Sequence, residues 1–241
     1  MTEIEFVGRM KVRAIQWMGT DATIVNSARV STTRREVSAG DMSTADKGLI
    51  RRLVADGHTS TLEHCVLTVK ADVTLDVRSE WHRHRTMSFN EKSGRYSEYQ
   101  PRFYIEPRER PLGQTGGSMD YRREHLGENS IRNHQALAEE HTAVCWDYYQ
   151  QELADGVCRE VARRRLPTNL MTQFYATANL NNWFRYLGLR NKPDALYEIR
   201  DAAEQVESII SELWPVAFAE FDKQRDMWAR FKEWDIASAD N

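Results

Sequence analysis

The stretch that decides the fold is Cys65-Val66-Leu67-Thr68-Val69-Lys70-Ala71-Asp72-Val73-Thr74-Leu75-Asp76-Val77. Every odd-numbered position in it is apolar, and between them only Val66 is not polar. Successive side chains on a strand point to opposite faces, so this pattern predicts a strand with one buried and one wetter face. Thirteen residues is long for one strand, and a bend or bulge within it is expected.

Working outward, residues 6–16 alternate loosely and predict an earlier strand. Thr20 to Arg35 reads as a cap, a helix and a short polar turn. Ser43, with Asp46 three residues on, is an N-cap pattern. It opens a helix with the stripe Leu49, Ile50, Leu53 and Val54, which Gly57 ends. On the other side, Arg78 to Arg85 predicts a helix or helical turn and Thr86 to Gln100 a polar loop. Phe103-Tyr104-Ile105 predicts a short strand. Residues 107–130, with Gly113, Gly116 and Gly117, predict an exposed loop insertion.

From Ile131 the chain reads as helical. One apolar face is Ala136, Leu137, Val144, Cys145, Tyr148 and Tyr149. A later one is Leu196, Ile199, Ala202, Ala203, Val206, Ile209, Ile210 and Leu213, closed by Pro215. Trp214, Phe218, Phe221, Trp228, Phe231 and Trp234 form an aromatic tail, expected to pack in a core or between subunits. The fold class expected is α+β: one domain over residues 1–241, with a central antiparallel or mixed sheet flanked by long helices.

Bulk composition narrows the setting. The 241 residues carry 33 Lys+Arg against 36 Asp+Glu, a net charge of −3, which excludes a generally basic nucleic-acid coat. No run approaches the ~18 apolar residues of a membrane helix, so no membrane partner is expected. The acidic start, Met1-Thr2-Glu3-Ile4-Glu5, is unlike a signal peptide. Cys65, Cys145 and Cys158 form no CxxC pair, and a reducing cytoplasm is the expected compartment.

The chemistry concentrates in four segments. Arg83 to Tyr96 holds three Arg, a His, two Ser, an Asn, a Glu and a Tyr, a set suited to anion binding because guanidinium forks and exposed amides complement phosphates. The others are Gly57-His58-Thr59-Ser60-Thr61-Leu62-Glu63-His64, Arg163-Arg164-Arg165-Leu166-Pro167, and Asn179 through Arg190. Each has a plainer reading as a solvated loop, a structural His, a charged helix face or a helix cap. The triple Arg, in an apparent helix, spreads over about 200°, so one Arg faces inward while the others meet solvent. No Rossmann GxGxxG, Walker A loop, GxSxG elbow or HExxH is present, and no metal site is expected.

In order along the chain, these segments resemble the flavin-dependent thymidylate synthases. The resemblance rests on Arg83-His84-Arg85, seven residues, then Ser93. Asn90-Glu91-Lys92-Ser93-Gly94-Arg95-Tyr96 extends it. The Gly-His-x-(Ser/Thr)-x-x-Glu-His pattern at 57–64, Arg163 with Leu166-Pro167, Asn179, Leu187-x-Leu189-Arg190 and Ala28-Arg29-Val30-Ser31 complete it. It implies reductive methylation of dUMP to dTMP in de novo synthesis. Methylenetetrahydrofolate is the carbon donor, FAD the cofactor and NADPH the reductant, in a homotetramer whose active sites draw on several subunits.

By the same resemblance, Glu80, Arg83, Ser93, Gly94, Arg95, Arg163 and Arg190 would bind dUMP, with Arg190 and Ser93 the catalytic candidates. Ser31, Ser60, Arg83, His84, Arg85, Asn90, Glu91, Asn179 and Arg185 would line FAD. His58 and Tyr96 would stack on rings. The chain departs from the pattern at Glu80, where members often have Gln. It also has Asn181 and Arg185 where similar members have Arg and Asn, an exchange four residues apart on one expected helical face. Two other readings stay open. One is a nucleotide- or RNA-binding module with an arginine phosphate track. The other is a cysteine-dependent synthase, for which no Cys has a fitting context.

Overall fold

The computed structural model describes residues 3–32, 35–117 and 122–239, with backbone alone from 228 onward. The chain gathers into two compact units that interleave along the sequence. One comprises Met1–Lys11, Asp72–Arg83 and Asn90–Phe174; the other comprises Val12–Ala71, His84–Phe89 and Tyr175–Asn241.

The predicted first strand is two: β1 (Glu5–Val7) and β2 (Lys11–Met18). Helix α1 (Asp21–Arg29) follows Thr20 as its N-cap. Helix α2 (Thr44–Ala55) carries the expected capping box, with Ser43 and Asp46 bonding reciprocally. Gly57, at φ +70°, supplies the left-handed turn that ends it.

The fold-deciding strand is β3 (Val66–Thr74). It ends three residues earlier than the alternation predicts, because helix α3 (Leu75–Trp81) begins after Thr74. Asp76 accepts the Val77 N–H and the Thr74 hydroxyl, tying the chain into a helical start. Leu67, Val69, Ala71 and Val73 are fully buried, as expected, but the polar face is drier than expected, with Thr68 and Thr74 also buried. The Thr68 and Thr177 hydroxyls meet at 2.9 Å, each satisfying the other.

The polar run expected as a loop contains β4 (Ser88–Glu91), and β5 (Arg102–Tyr104) pairs in parallel with β1. The expected loop insertion carries an antiparallel ribbon, β6 (Gly113–Thr115) with β7 (Arg122–Glu124). Residues 118–121 of that segment lie outside the described residues.

Helix α4 (Glu128–Ala154) buries Ile131, Thr142, Trp146 and Tyr149, and of the expected face only Tyr149 is among them. Leu137, Val144 and Tyr148 are 67, 47 and 62% exposed. The expected face thus mixes exposed positions with the buried Tyr149. Trp146 and Tyr149 pack with Tyr99, Phe103, Ala162 and Leu170 as the core of the first unit. After the short α5 (Arg159–Ala162), Arg163–Arg165 form a 3-10 turn rather than α-helix. Successive side chains there diverge by about 120°.

Strand β8 (Met171–Asn179) leads to α6 (Leu180–Arg190), α7 (Tyr197–Leu213) and α8 (Pro215–Ala239). β2, β3, β8 and β4 form a four-stranded sheet in that order. β3 and β8 run antiparallel: Leu75 N–H donates to Leu170 O, and Leu180 N–H to Cys65 O, so numbers fall on one strand as they rise on the other. The Trp183 indole N–H donates to Leu67 O at 3.1 Å, which lets a fully buried Trp join the core of the second unit.

Helix α7 buries its expected stripe, and Pro215 both ends α7 and opens α8. The aromatic tail packs as expected where described: Trp214 is fully buried and Phe184 stacks on Phe221 at 4.3 Å. Trp228, Phe231 and Trp234 lie beyond the described side chains. No helix among the described residues is long and apolar enough to cross a membrane.

Asp21 shows how remote segments of the second unit are fastened. Its carboxylate is buried and accepts the N–H groups of Val216 and Ala217 at the start of α8, at 2.9 and 3.1 Å. Asp21→Ala should therefore lower stability by about 1–3 kcal/mol, the cost of a lost cap and unpaired buried donors. Chemical denaturation checks this, and an unchanged midpoint would remove the cap from the account.

Candidate active site

In the first unit a cavity of about 440 Å³ opens among Arg78, Glu91, Lys92, Ser93, Tyr99, Arg163 and Arg164, with Leu75 and Leu170 as its apolar wall. Ser93 and Arg163 were expected together on a nucleotide, and the fold brings them together. Arg78, Lys92, Arg164 and Tyr99 were not anticipated. Lys92 and Arg164 lie inside segments already marked as basic. Arg78 follows a buried strand by four residues and gives no signal of its own.

Four cations thus line the cavity against one carboxylate. Glu91 is already engaged: Thr172 donates its hydroxyl to Oε1 at 2.9 Å, and Arg78 lies 3.5 Å from Oε2. Surplus positive charge beside a hydroxyl suits a phosphate. One Arg of the triplet was expected to face inward, but all three are exposed: Arg163 and Arg164 line the cavity from its open side, while Arg165 pairs with Glu152 at 2.7 Å.

Gly94 is required by close approach. A Cβ there would lie 2.2 Å from Tyr99 Cε2, inside any real contact distance. Tyr99 cannot easily yield, since its N–H donates to the Tyr149 hydroxyl and its own hydroxyl accepts from the Gly94 N–H. Gly94→Ala should cost about 1–3 kcal/mol of stability by overpacking and weaken nucleotide binding by moving Tyr99. Denaturation paired with nucleotide titration checks both, and wild-type values in each would remove the constraint.

Arg95 is placed elsewhere in the same unit. It pairs with Glu160 at 3.0 Å and lines a second cavity of about 430 Å³ with Glu98, Cys158 and Arg159. Tyr96 is 80% exposed and lies beside the Arg95 guanidinium. Glu80, half-buried on α3, has its carbonyl bound by the Arg83 N–H. Arg83 and Asn90 are exposed.

The second unit holds the other group. Arg190, at the end of α6, donates its Nε–H to His84 Nε2 at 3.1 Å. His84 also meets the edge of Tyr186 at 5.0 Å. Burial, then the Arg190 charge, brings the His84 pKa down to about 4. The imidazole is therefore neutral near pH 7 and can accept this bond, with its proton on Nδ1.

His58, Ser60, Ser31, Arg85 and Arg185 are all exposed. Asn179 caps α6 by accepting the Asn182 N–H at 3.0 Å, which leaves its amide donors for other use. Asn181 is buried and donates to Glu63 at 3.3 Å. Although Asn181 and Arg185 are four apart, their depths differ, so the expected common face holds only in part.

A flavin dinucleotide would bring a diphosphate needing cations. In the second unit Arg85 and Arg185 are exposed and ion-paired with nothing among the described residues, and Ser31 and Ser60 add exposed hydroxyls. This donor set fits the group. Cysteine chemistry is disfavoured. Burial, then Asp21, pushes the Cys65 thiol up to about 12, and no Cys lines the Ser93 cavity. Cys65 is buried, whereas Cys158 is exposed.

Residues 13–216 match the family described as thymidylate synthase complementing protein. The flavin-dependent thymidylate synthase of Ruegeria pomeroyi is 37% identical over 220 residues, covering 89% of this chain and 71% of that protein. The flavin-dependent thymidylate synthase of Thermus thermophilus is 36% identical, with 88 and 75% covered. A crystal structure of the UMP/dUMP methylase PolB from Streptomyces cacaoi bound with 5-Br UMP superposes with a TM-score of 0.84 at 32% identity. It covers 91% of this chain and 96% of that one. The same methylase bound with 5-Br dUMP gives 0.83. The chain belongs to the thymidylate synthase complementing protein family, the flavin-dependent thymidylate synthases.

Proposed function

We propose that this chain methylates dUMP to dTMP in a flavin-dependent reaction, with methylenetetrahydrofolate as carbon donor and NADPH as reductant. The observation that carries the reading is the cationic cavity holding Ser93 and Arg163 in a chain of this family. The PolB structures, which bind 5-Br UMP and 5-Br dUMP, support a pyrimidine nucleotide as substrate. FAD, when bound, supplies the redox chemistry that turns the transferred carbon into a methyl group.

The chain's own residues do the rest. Arg163 and Ser93 hold the phosphate end, with Gly94 keeping Tyr99 in place. Arg190 donates to the pyrimidine, where negative charge gathers as C5 becomes nucleophilic. Its direction is set by neutral His84. Arg85 and Arg185 hold the cofactor's diphosphate, with Ser31, Ser60 and Asn179 beside it. Glu80 binds nucleotide, while His58 and Tyr96 offer ring surfaces. The whole chain works as one catalytic domain in the cytoplasm. A homotetramer with shared sites is supported by the exposed Leu137, Val144 and Tyr148 on α4, an apolar stripe suited to a second copy. An RNA track is disfavoured because Arg95 and Arg165 are held by carboxylates rather than aligned on a surface.

The test is the absorption spectrum and the product. The purified protein, supplied with FAD, should show a flavin spectrum that NADPH bleaches. It should form dTMP from dUMP and methylenetetrahydrofolate. UMP run in parallel defines the sugar preference. Failure to bind flavin, or no dTMP with flavin bound, would overturn the reading.

A further inference from the structure

We propose that Lys92 is a substrate-binding residue that supplies the mobile positive charge closing on the nucleotide phosphate in the Ser93 cavity. The proposal rests on the function above and adds a residue to that site. Lys92 is half-buried at the end of β4, where its backbone N–H is fixed to Gln173 O at 2.9 Å. Its Nζ lies 5.4 Å from the centroid of the Tyr99 ring and makes no ion pair among the described residues.

A half-buried ammonium over a ring face, with no ion pair among the described residues, lacks a counter-charge. The groups facing it are Glu91 and Ser93 beside it, Arg78 on α3, Tyr99, and Arg163 and Arg164 on the 3-10 turn. Glu91, the single acid among them, is taken by Arg78 and Thr172. An entering phosphate dianion supplies the missing charge. The Arg side chains offer fixed forks, whereas Lys offers a point charge on a flexible stem. Burial already lowers the Lys92 pKa, so its proton is the one in this cavity that an anion would most strongly retain.

The test compares wild type, Lys92→Met and Lys92→Arg as flavin-loaded proteins. Lys92→Met keeps the apolar stem against Tyr99, and thermal melts confirm folding. Expected for Lys92→Met is a rise in the dUMP dissociation constant of about 10-fold or more. Deoxyuridine, which has no phosphate, should bind all three equally, and Lys92→Arg should recover most dUMP affinity. The phosphate is already dianionic well above its second pKa of about 6. Wild-type affinity should therefore fall with rising alkaline pH as Lys92 deprotonates, and Lys92→Arg should hold its affinity further. Equal dUMP affinity for wild type and Lys92→Met, or equal losses toward deoxyuridine, overturns the proposal while leaving the function intact. A folded wild type that binds no dUMP overturns the function instead. Inorganic phosphate then tests Lys92 alone, which stands if Lys92→Met weakens phosphate binding and falls if it does not.

Discussion

Arg190→Ala is expected to fold, to keep its flavin spectrum, and to lose roughly 100- to 1,000-fold in turnover, the effect of removing one donor to developing anionic charge. The basis is its placement. Arg190 ends α6, the helix capped by Asn179 and anchored by buried Trp183, Tyr186 and Leu187. Its Nε–H is held by His84 at 3.1 Å, so the guanidinium plane has a defined direction. That bond needs a neutral acceptor, and with the imidazole pKa at about 4 the histidine remains one throughout the neutral range. His84→Ala should accordingly lower kcat less than Arg190→Ala and leave dUMP affinity nearly unchanged, since direction is lost but not charge. Single-turnover measurements on flavin-loaded protein separate these from binding defects. Wild-type turnover in Arg190→Ala would exclude Arg190 from the chemistry.

The site was legible where the chemistry is carried by adjacent residues and hidden where folding assembles it. Ser93 and Arg163 are 70 positions apart in sequence, and only the motif resemblance links them before the fold does. Arg78 has no such link, because its role comes from the end of β3, where the chain turns into α3. Arg95 lies two residues from Ser93 and lines a different cavity. The turn at Ser93, where Tyr96 and Ser97 N–H groups bond back to its carbonyl, sends neighbouring side chains apart. Proximity in sequence was a poor guide there. The His84 to Arg190 bond joins two motifs read separately, and nothing in either announces a neutral imidazole.

The fold was legible in its strongly patterned parts. The odd-numbered face of β3, the Ser43 capping box and the α7 stripe all follow local rules. Their failures have physical causes. Leu75 and Val77 continue the alternation, but Asp76 bonds its own local backbone and starts a helix. Strand β4 reads as a loop because Ser88 and Asn90 are polar and exposed, while its pairing is supplied by the sheet. On α4, Trp146 lay outside the expected face, yet it packs beside Tyr149 in the cluster with Phe103 and Leu170, while Leu137 and Val144 stay exposed. The last two misses are cases of tertiary contact overriding a local pattern; the first is one local signal overriding another.

Arg163→Ala is the second large effect expected, and the arginine triplet provides its internal control. Arg163 and Arg164 line the cavity, whereas Arg165 pairs with Glu152. Truncating Arg163 removes a charge-assisted contact to phosphate, so the dUMP dissociation constant should rise by about 10- to 150-fold, or 1.5–3 kcal/mol. Arg164 remains in the cavity, and the two truncations together should fall short of additivity because they share one anion. Arg165→Ala should leave dUMP affinity unchanged and cost less than about 1 kcal/mol of stability, as for an exposed ion pair. Calorimetric titration of dUMP into the three single variants and the Arg163/Arg164 double variant checks the ordering. A nonspecific basic surface would lose affinity equally at all three positions and show steep salt dependence. Arg163 then stands as a phosphate ligand only if its loss exceeds that of Arg165, disappears with deoxyuridine, and leaves thermal stability at the wild-type value.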